Sequence, residues 1–141
     1  MTPPDDDTRD APTPTPAPRP VPVPVGVKPL NGVVVVLTNV PDEDSAREIA
    51  ETLVEERLAA CVNILAPCSS VYRWQGAVET AEELPLLIKT AQDRFAALQR
   101  RLVDLHPYDV PEVVAWRADA VLPAYSDWVI GSTRVSRGEG G

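Results

Sequence analysis

Residues 60–90 read ACVNILAPCSSVYRWQGAVETAEELPLLIKT. Two β-rich arms meet at Gln75-Gly76, a plausible tight turn in which glycine supplies the positive φ. In the first arm Val62 and Ile64 share one parity, and Ser70, Tyr72 and Trp74 also alternate. Pro67 bends or interrupts the strand between them, because proline cannot donate to a ladder. In the second arm Leu84, Leu86 and Ile88 alternate against Pro85, Leu87 and Lys89. Pro85 predicts an edge position or a bulge. The whole stretch is one long hairpin.

Helical patterns flank it. Ala46, Ile49, Ala50, Leu53, Val54 and Leu58 recur at helical spacing, with Glu and Arg on the other positions. This is an amphipathic helix with one buried stripe. Asp42 or Ser45 caps it, and Ser45 with Glu48 has capping-box spacing. After the hairpin, Phe95, Leu98, Leu102 and Leu105 define a second helix, which Pro107 ends. Val33 to Leu37 reads as a strand buried on both faces, and Glu112 to Trp116 as a further strand. A short helix from about Pro123 to Gly131 closes the unit. The order β-α-β-β-α-β with right-handed crossovers predicts an α+β fold, a ferredoxin-like sandwich with a short C-terminal helix. Both main helices then cover one sheet face. The other face is left bare, which points to assembly with further copies of the chain.

The folded unit is expected over residues 30–135. Before it, ten of the 16 prolines fall within residues 1–29. Alternating prolines fix φ and lack N–H donors, so this tail is expected to be disordered and polyproline II-like. Residues 136–141 are expected to be a flexible C-terminus. The formal charge is −8, which argues against nucleic acid as a partner. No stretch is apolar for long enough to span a membrane, and Asp5-Asp6-Asp7 stands where a signal peptide carries positive charge. The cytoplasm is the expected location. Cys61 and Cys68 lie an odd number of residues apart. In a straight strand they point to opposite faces, so both are expected to be free, buried thiols.

Catalytic signatures are missing: no phosphate-binding loop, dinucleotide fingerprint, nucleophile elbow or paired-cysteine zinc spacing. The protein is not expected to be an enzyme. The informative cluster is His106-Pro107-Tyr108-Asp109-Val110-Pro111-Glu112. It gathers an imidazole, a phenol and two carboxylates on a rigid connector. Imidazole with carboxylate suits copper or zinc, so His106, Asp109 and Glu112 are candidate metal ligands. The same His106 also reads as structural, since a helix C-terminus favours it. Tyr72, Trp74, Trp116 and Trp128 have the amphipathic character of interface residues.

Five stretches occur in order: Ala59-Ala60-Cys61-Val62-Asn63-Ile64, Ser70-Val71-Tyr72-Arg73-Trp74-Gln75-Gly76, Ile88-Lys89-Thr90, His106 to Glu112, and Tyr125-Ser126-Asp127-Trp128. Together they closely resemble the CutA divalent-cation tolerance family over about Val33 to Arg134. The resemblance implies a ferredoxin-like homotrimer associated with tolerance of copper and other divalent cations. It implies a copper-ligand role for His106. Two further ligand positions of some bacterial relatives read Thr38 and Leu105 here, so any Cu(II) or other divalent cation is expected to bind weakly, and no cofactor is required. It also implies an intersubunit cleft lined by Trp74, Glu82 or Glu83, Lys89, Tyr108 and Glu112. The alternative function is a signalling or adaptor trimer, similar to PII proteins, that binds a small metabolite in that cleft.

Overall fold

The computed structural model describes residues 31–135. The expectations for the proline-rich tail and for residues 136–141 lie outside the described residues. Chain order is β1 (Val33–Val40), α1 (Glu43–Glu55), β2 (Cys61–Ile64), β3 (Cys68–Trp74), β4 (Ala77–Ala91), a 3-10 turn (Gln92–Arg94), α2 (Phe95–Leu105), β5 (Val114–Arg117) and α3 (Pro123–Ser132). The sheet runs β2-β4-β1-β5, with β3 also pairing β4. Every pairing is antiparallel.

The sheet has two unlike faces. Val34, Val36, Leu86 and Ile88 point towards the helices and join Ile49, Leu53, Leu98 and Leu102 in the main core. On β1 the alternate residues Val35, Leu37 and Asn39 are only half-buried. The strand expected to be buried on both faces is therefore fully buried on one. The reason is that α3 reaches only one end of the second face. There Val33, Ala60 and Val129 form a small separate cluster. Two buried hydroxyls are satisfied locally: Thr90 donates to the Leu58 carbonyl at 2.7 Å, and Thr133 to that of Val129 at 3.0 Å.

Asp42 is the N-cap of α1, accepting the Ser45 N–H at 2.7 Å. At the other end, Arg101 from α2 forks onto Glu56, with both bonds at 2.9 Å. The hairpin turn is the expected one. Gln75 and Gly76 both have positive φ, 49° and 84°, the pattern of the tight turn whose twist matches its strands.

The interruption expected at Pro67 is present and divides the first arm into β2 and β3. Ile64 pairs with Leu86, but Cys68 pairs with Glu83. The first arm thus takes one more step than its partner between those pairs. That extra residue reverses the parity. Cys61 and Cys68 consequently lie on the same sheet face, not opposite faces, at cross-strand partners Lys89 and Glu83. Both are free, but only partly buried. Of the two places expected for Pro85, an edge or a bulge, the structure shows the bulge: Pro85 sits in the central strand β4, opposite the stretch where the first arm carries one residue more. Its carbonyl accepts the Leu65 N–H at 2.9 Å, so its nitrogen also points to that side. The missing donor therefore faces the place where β2 ends.

Leu86 and Leu102 are fully enclosed between sheet and helices. Leu102→Ala is expected to destabilise the fold by about 2–5 kcal/mol through lost burial and a residual cavity. Chemical denaturation with an unchanged m-value checks this.

Candidate functional site

β4 is 15 residues long and β1 only 8. Their pairing ends at Val40 with Leu84. From Glu83 to Ala77, β4 runs on beyond the end of β1, joined to β3. The connector from α2 to β5 passes alongside this overhang. Between them lies a cleft of about 840 Å³. The hairpin contributes Ser70, Val71, Tyr72, Trp74, Glu79 and Glu83 to its walls. The connector contributes Pro107, Tyr108, Asp109, Val110 and Glu112, and β1 contributes Asn39.

The connector is pinned at both ends to one residue. His106, the C-cap of α2, meets the Asn39 carbonyl through Nε2 at 2.8 Å. Glu112 Oε1 accepts the Asn39 side-chain amide at 3.0 Å. Between these anchors, the Tyr108 N–H donates to His106 Nδ1 at 3.1 Å. Its ring lies 4.8 Å from the imidazole, and its hydroxyl donates to Glu83 Oε2 at 2.7 Å. The connector is thus tied to β1 and to the hairpin together.

These contacts set the protonation states. Nδ1 accepts a backbone N–H, so the proton resides on Nε2, which donates to Asn39. The ring is neutral. Burial depresses the His106 pKa below its ordinary 6.5, against the opposing pull of the Asn39 carbonyl and Glu83. Burial and then the Glu83 carboxylate push the Tyr108 phenol far above its usual range. Tyr108 therefore stays a donor at any physiological pH. Tyr72 is raised too, by burial and by Glu79 and Glu83.

The structure brings Tyr72, Trp74, Glu83, Tyr108, Asp109 and Glu112 to one cleft, with His106 directly behind it. Register separates Glu82 from Glu83. Glu82 pairs with Ser69 on the opposite face, so it is not a wall residue. Lys89 is also absent from the cleft. It lies six residues further along β4, across from Cys61 and bonded to Asn63. Trp116 stands on the edge strand β5 opposite Val35. Trp128 packs with Tyr125 on α3, ring centres 5.6 Å apart. Sequence reasoning did not single out Asn39, Ser70, Val71 or Glu79 as wall residues, and only the strand register could have found them.

A metal centre led by His106 does not fit this geometry. Both ring nitrogens are engaged with backbone groups, and binding a cation would break one of those bonds. Among the described residues, no group of three or more His, Cys, Asp or Glu side chains is arranged to hold a metal. The cleft carries four carboxylates, Glu79, Glu83, Asp109 and Glu112, and no lysine or arginine in its walls. Its field favours cations, but its geometry is not a cage.

Comparison with known proteins gives a consistent picture. Residues 34–132 match the model of the family described as CutA1 divalent ion tolerance protein. The divalent-cation tolerance protein CutA of Thermus thermophilus is 53% identical over 95 residues, 67% of this chain and 92% of that protein. The chloroplastic protein CutA of Arabidopsis thaliana is 40% identical over 72% of this chain and 56% of its own length. A solved structure of the Thermus thermophilus protein superposes with a TM-score of 0.71 at 50% identity, covering 72% of this chain and 99% of that one. One from Archaeoglobus fulgidus, titled as periplasmic, gives 0.70 at 30% identity, covering 72% of this chain and 99% of that chain.

The clamp predicts an acid-sensitive fold. A histidine whose folded pKa lies below its unfolded value contributes stability that is complete above about pH 6.5 and is lost as pH falls through the lower folded value. Melting scans between pH 7.5 and about 5.5 should show this loss. His106→Ala should cost about 1–3 kcal/mol at neutral pH by orphaning the Asn39 carbonyl and the Tyr108 N–H. It should also flatten the pH dependence over that window.

Proposed function

The chain belongs to the CutA1 divalent ion tolerance family, and from that premise we propose that it serves divalent-cation tolerance as a homotrimer, without catalysing a reaction. We read its strand order as ferredoxin-like. The observation that carries the assembly is the sheet face that the two long helices leave open. Trp116, Val114, Val35 and Leu37 share that face by register. Val114 and Trp116 are each about half exposed, at 48% and 47%. An apolar strip of this kind is costly in water and gains by meeting another copy. Closed cyclic symmetry then satisfies all copies at once.

The cation side of the proposal is weak, oxygen-based association. The carboxylates of the cleft supply hard oxygen donors, and His106 serves as a clamp that keeps them in place. Tight sites gather three or four ligands in fixed geometry, and that support is lacking here. A second reading is favoured by the size of the cleft, which falls in the range of small-molecule sites. In it, the trimer is a signalling or adaptor protein similar to PII, and the acidic lining selects a cationic metabolite.

Two measurements test this. In analytical ultracentrifugation the unmodified protein should run as a trimer, and Trp116→Asp should shift it towards monomer, because it places a charge in the contact. A stable monomer of the unmodified chain defeats the trimer. Calorimetry with copper(II) and zinc(II) should give dissociation constants no tighter than about micromolar, near −8 kcal/mol. The heat should fall in Glu79→Gln/Glu83→Gln and persist in His106→Ala. Loss of the heat in His106→Ala alone returns the ligand role to the imidazole.

A further inference from the structure

We propose that Tyr108 is a specificity-determining residue of the acidic cleft: its hydroxyl is an internal competitor that occupies Glu83 and holds divalent metal ions off. Asn39 does the same to Glu112. The inference rests on the oxygen-based reading of cation association given above and adds what sets its strength.

The competition is for lone pairs. Glu83 Oε2 accepts the Tyr108 hydroxyl at 2.7 Å, and Glu112 Oε1 accepts the Asn39 amide at 3.0 Å. Hard divalent cations take carboxylate oxygens at about 2.0–2.6 Å, often through both oxygens of one group. A donor hydrogen directed at Oε2 stands where such an ion would coordinate. Water also bonds to carboxylates, but it exchanges with the solvent. The Tyr108 hydroxyl does not leave, because the rest of its residue is held separately. Its N–H donates to His106 Nδ1 at 3.1 Å, and its ring lies 4.8 Å from the imidazole. Asn39 is fixed in the same way, since its backbone pairs with Pro85 and its carbonyl takes His106. Both donors return to their carboxylates without a fresh cost of ordering.

The donors are also neutral. A lysine or arginine in their place would cancel the charge of the wall. A phenol and an amide leave the charge and take only the lone pair. Burial, and then Glu83, push the Tyr108 phenol far above its usual range, so it does not become a phenolate that could itself bind a metal. The cleft therefore attracts cations at a distance and resists close coordination at two of its four carboxylates. A metal ion needs those lone pairs. An organic ammonium donates single hydrogens, and one acceptor position at a time is enough for it. All four residues belong to one chain, so the two ties hold within each subunit whatever a neighbouring copy covers.

The variants separate competition from architecture. Tyr108→Phe removes only the hydroxyl; the N–H bond to His106 and the ring remain. Asn39→Ala removes only the amide; the carbonyl that meets His106 remains. A hydroxyl that merely docks the connector would, when lost, leave metal affinity unchanged or lower. A competitor, when lost, raises it.

Manganese(II), an oxygen-seeking probe, is titrated into the full-length protein by calorimetry and by the loss of its free-ion electron paramagnetic resonance signal. Tyr108→Phe should bind it about tenfold or more tightly than the parent, the factor carried by one hydrogen bond to a charged group. Adding Glu83→Gln should erase that gain. Asn39→Ala should show a gain of its own, erased by Glu112→Gln. Putrescine should gain less than manganese in Tyr108→Phe. Equal manganese affinity in the parent, Tyr108→Phe and Asn39→Ala overturns the proposal, as does an absence of binding in all three. So does a gain in Tyr108→Phe that survives Glu83→Gln, or an equal gain for putrescine. The underlying oxygen-based reading is decided separately, in the parent: it fails if Glu79→Gln/Glu83→Gln leaves manganese binding unchanged.

Discussion

Asn39 is the residue on which the site depends. Its backbone carbonyl takes the His106 imidazole and its side-chain amide takes Glu112. One residue at the end of β1 thereby holds both ends of the connector. Pro107 and Pro111 stiffen the span between them, so fixing the ends fixes the middle. Tyr108 is then delivered to Glu83 on the hairpin. If the imidazole is protonated, Nε2 still donates to Asn39, but Nδ1 carries a hydrogen and can no longer accept the Tyr108 N–H. Burial opposes that loss by disfavouring the charged ring. The histidine that looks like a ligand in sequence is spent on architecture.

The cleft itself follows from unequal strand lengths. A central strand must be paired on both sides wherever it is buried. β4 meets this over its second half, between β1 and β2, and there it carries Leu86 and Ile88 into the core. Its first half outruns β1 and keeps only β3 as a partner. Solvent, the connector and docked groups can approach it there. The break between β2 and β3 belongs to the same logic. Pro85 has no hydrogen to give, and the first arm stops pairing beside it before resuming with one residue more.

Much of this was legible before any coordinates. Helical spacing located Ile49, Leu53, Leu98 and Leu102, and all four are in the core. Gln75-Gly76 announced the turn, and Pro67 the interruption. What sequence could not carry was register. The parity argument for Cys61 and Cys68 assumed an unbroken strand, and one inserted residue reversed it. The same offset decides that Glu83, not Glu82, faces Tyr108. Lys89 shares the Glu83 face but lies too far along the strand to reach the cleft. His106 was correctly seen at the helix end, but its partner is a carbonyl 67 residues away. No local pattern encodes a backbone acceptor at that distance.

The electrostatics of the cleft connect these points. Glu83 accepts from Tyr108 and Glu112 accepts from Asn39, so two of the four wall carboxylates are already hydrogen-bonded within the protein. Both donors, a phenol and an amide, are neutral. The cleft keeps its negative field while its geometry is fixed by groups that carry no positive charge. A divalent cation in that field would meet bonded carboxylates with fewer lone pairs to offer and no imidazole turned towards it. A longer cation that stacks as well as pairs gains from every wall, because Tyr72 and Trp74 add apolar contact beside the charge. The arrangement that makes the cleft a poor metal cage therefore leaves it an acidic groove with aromatic walls.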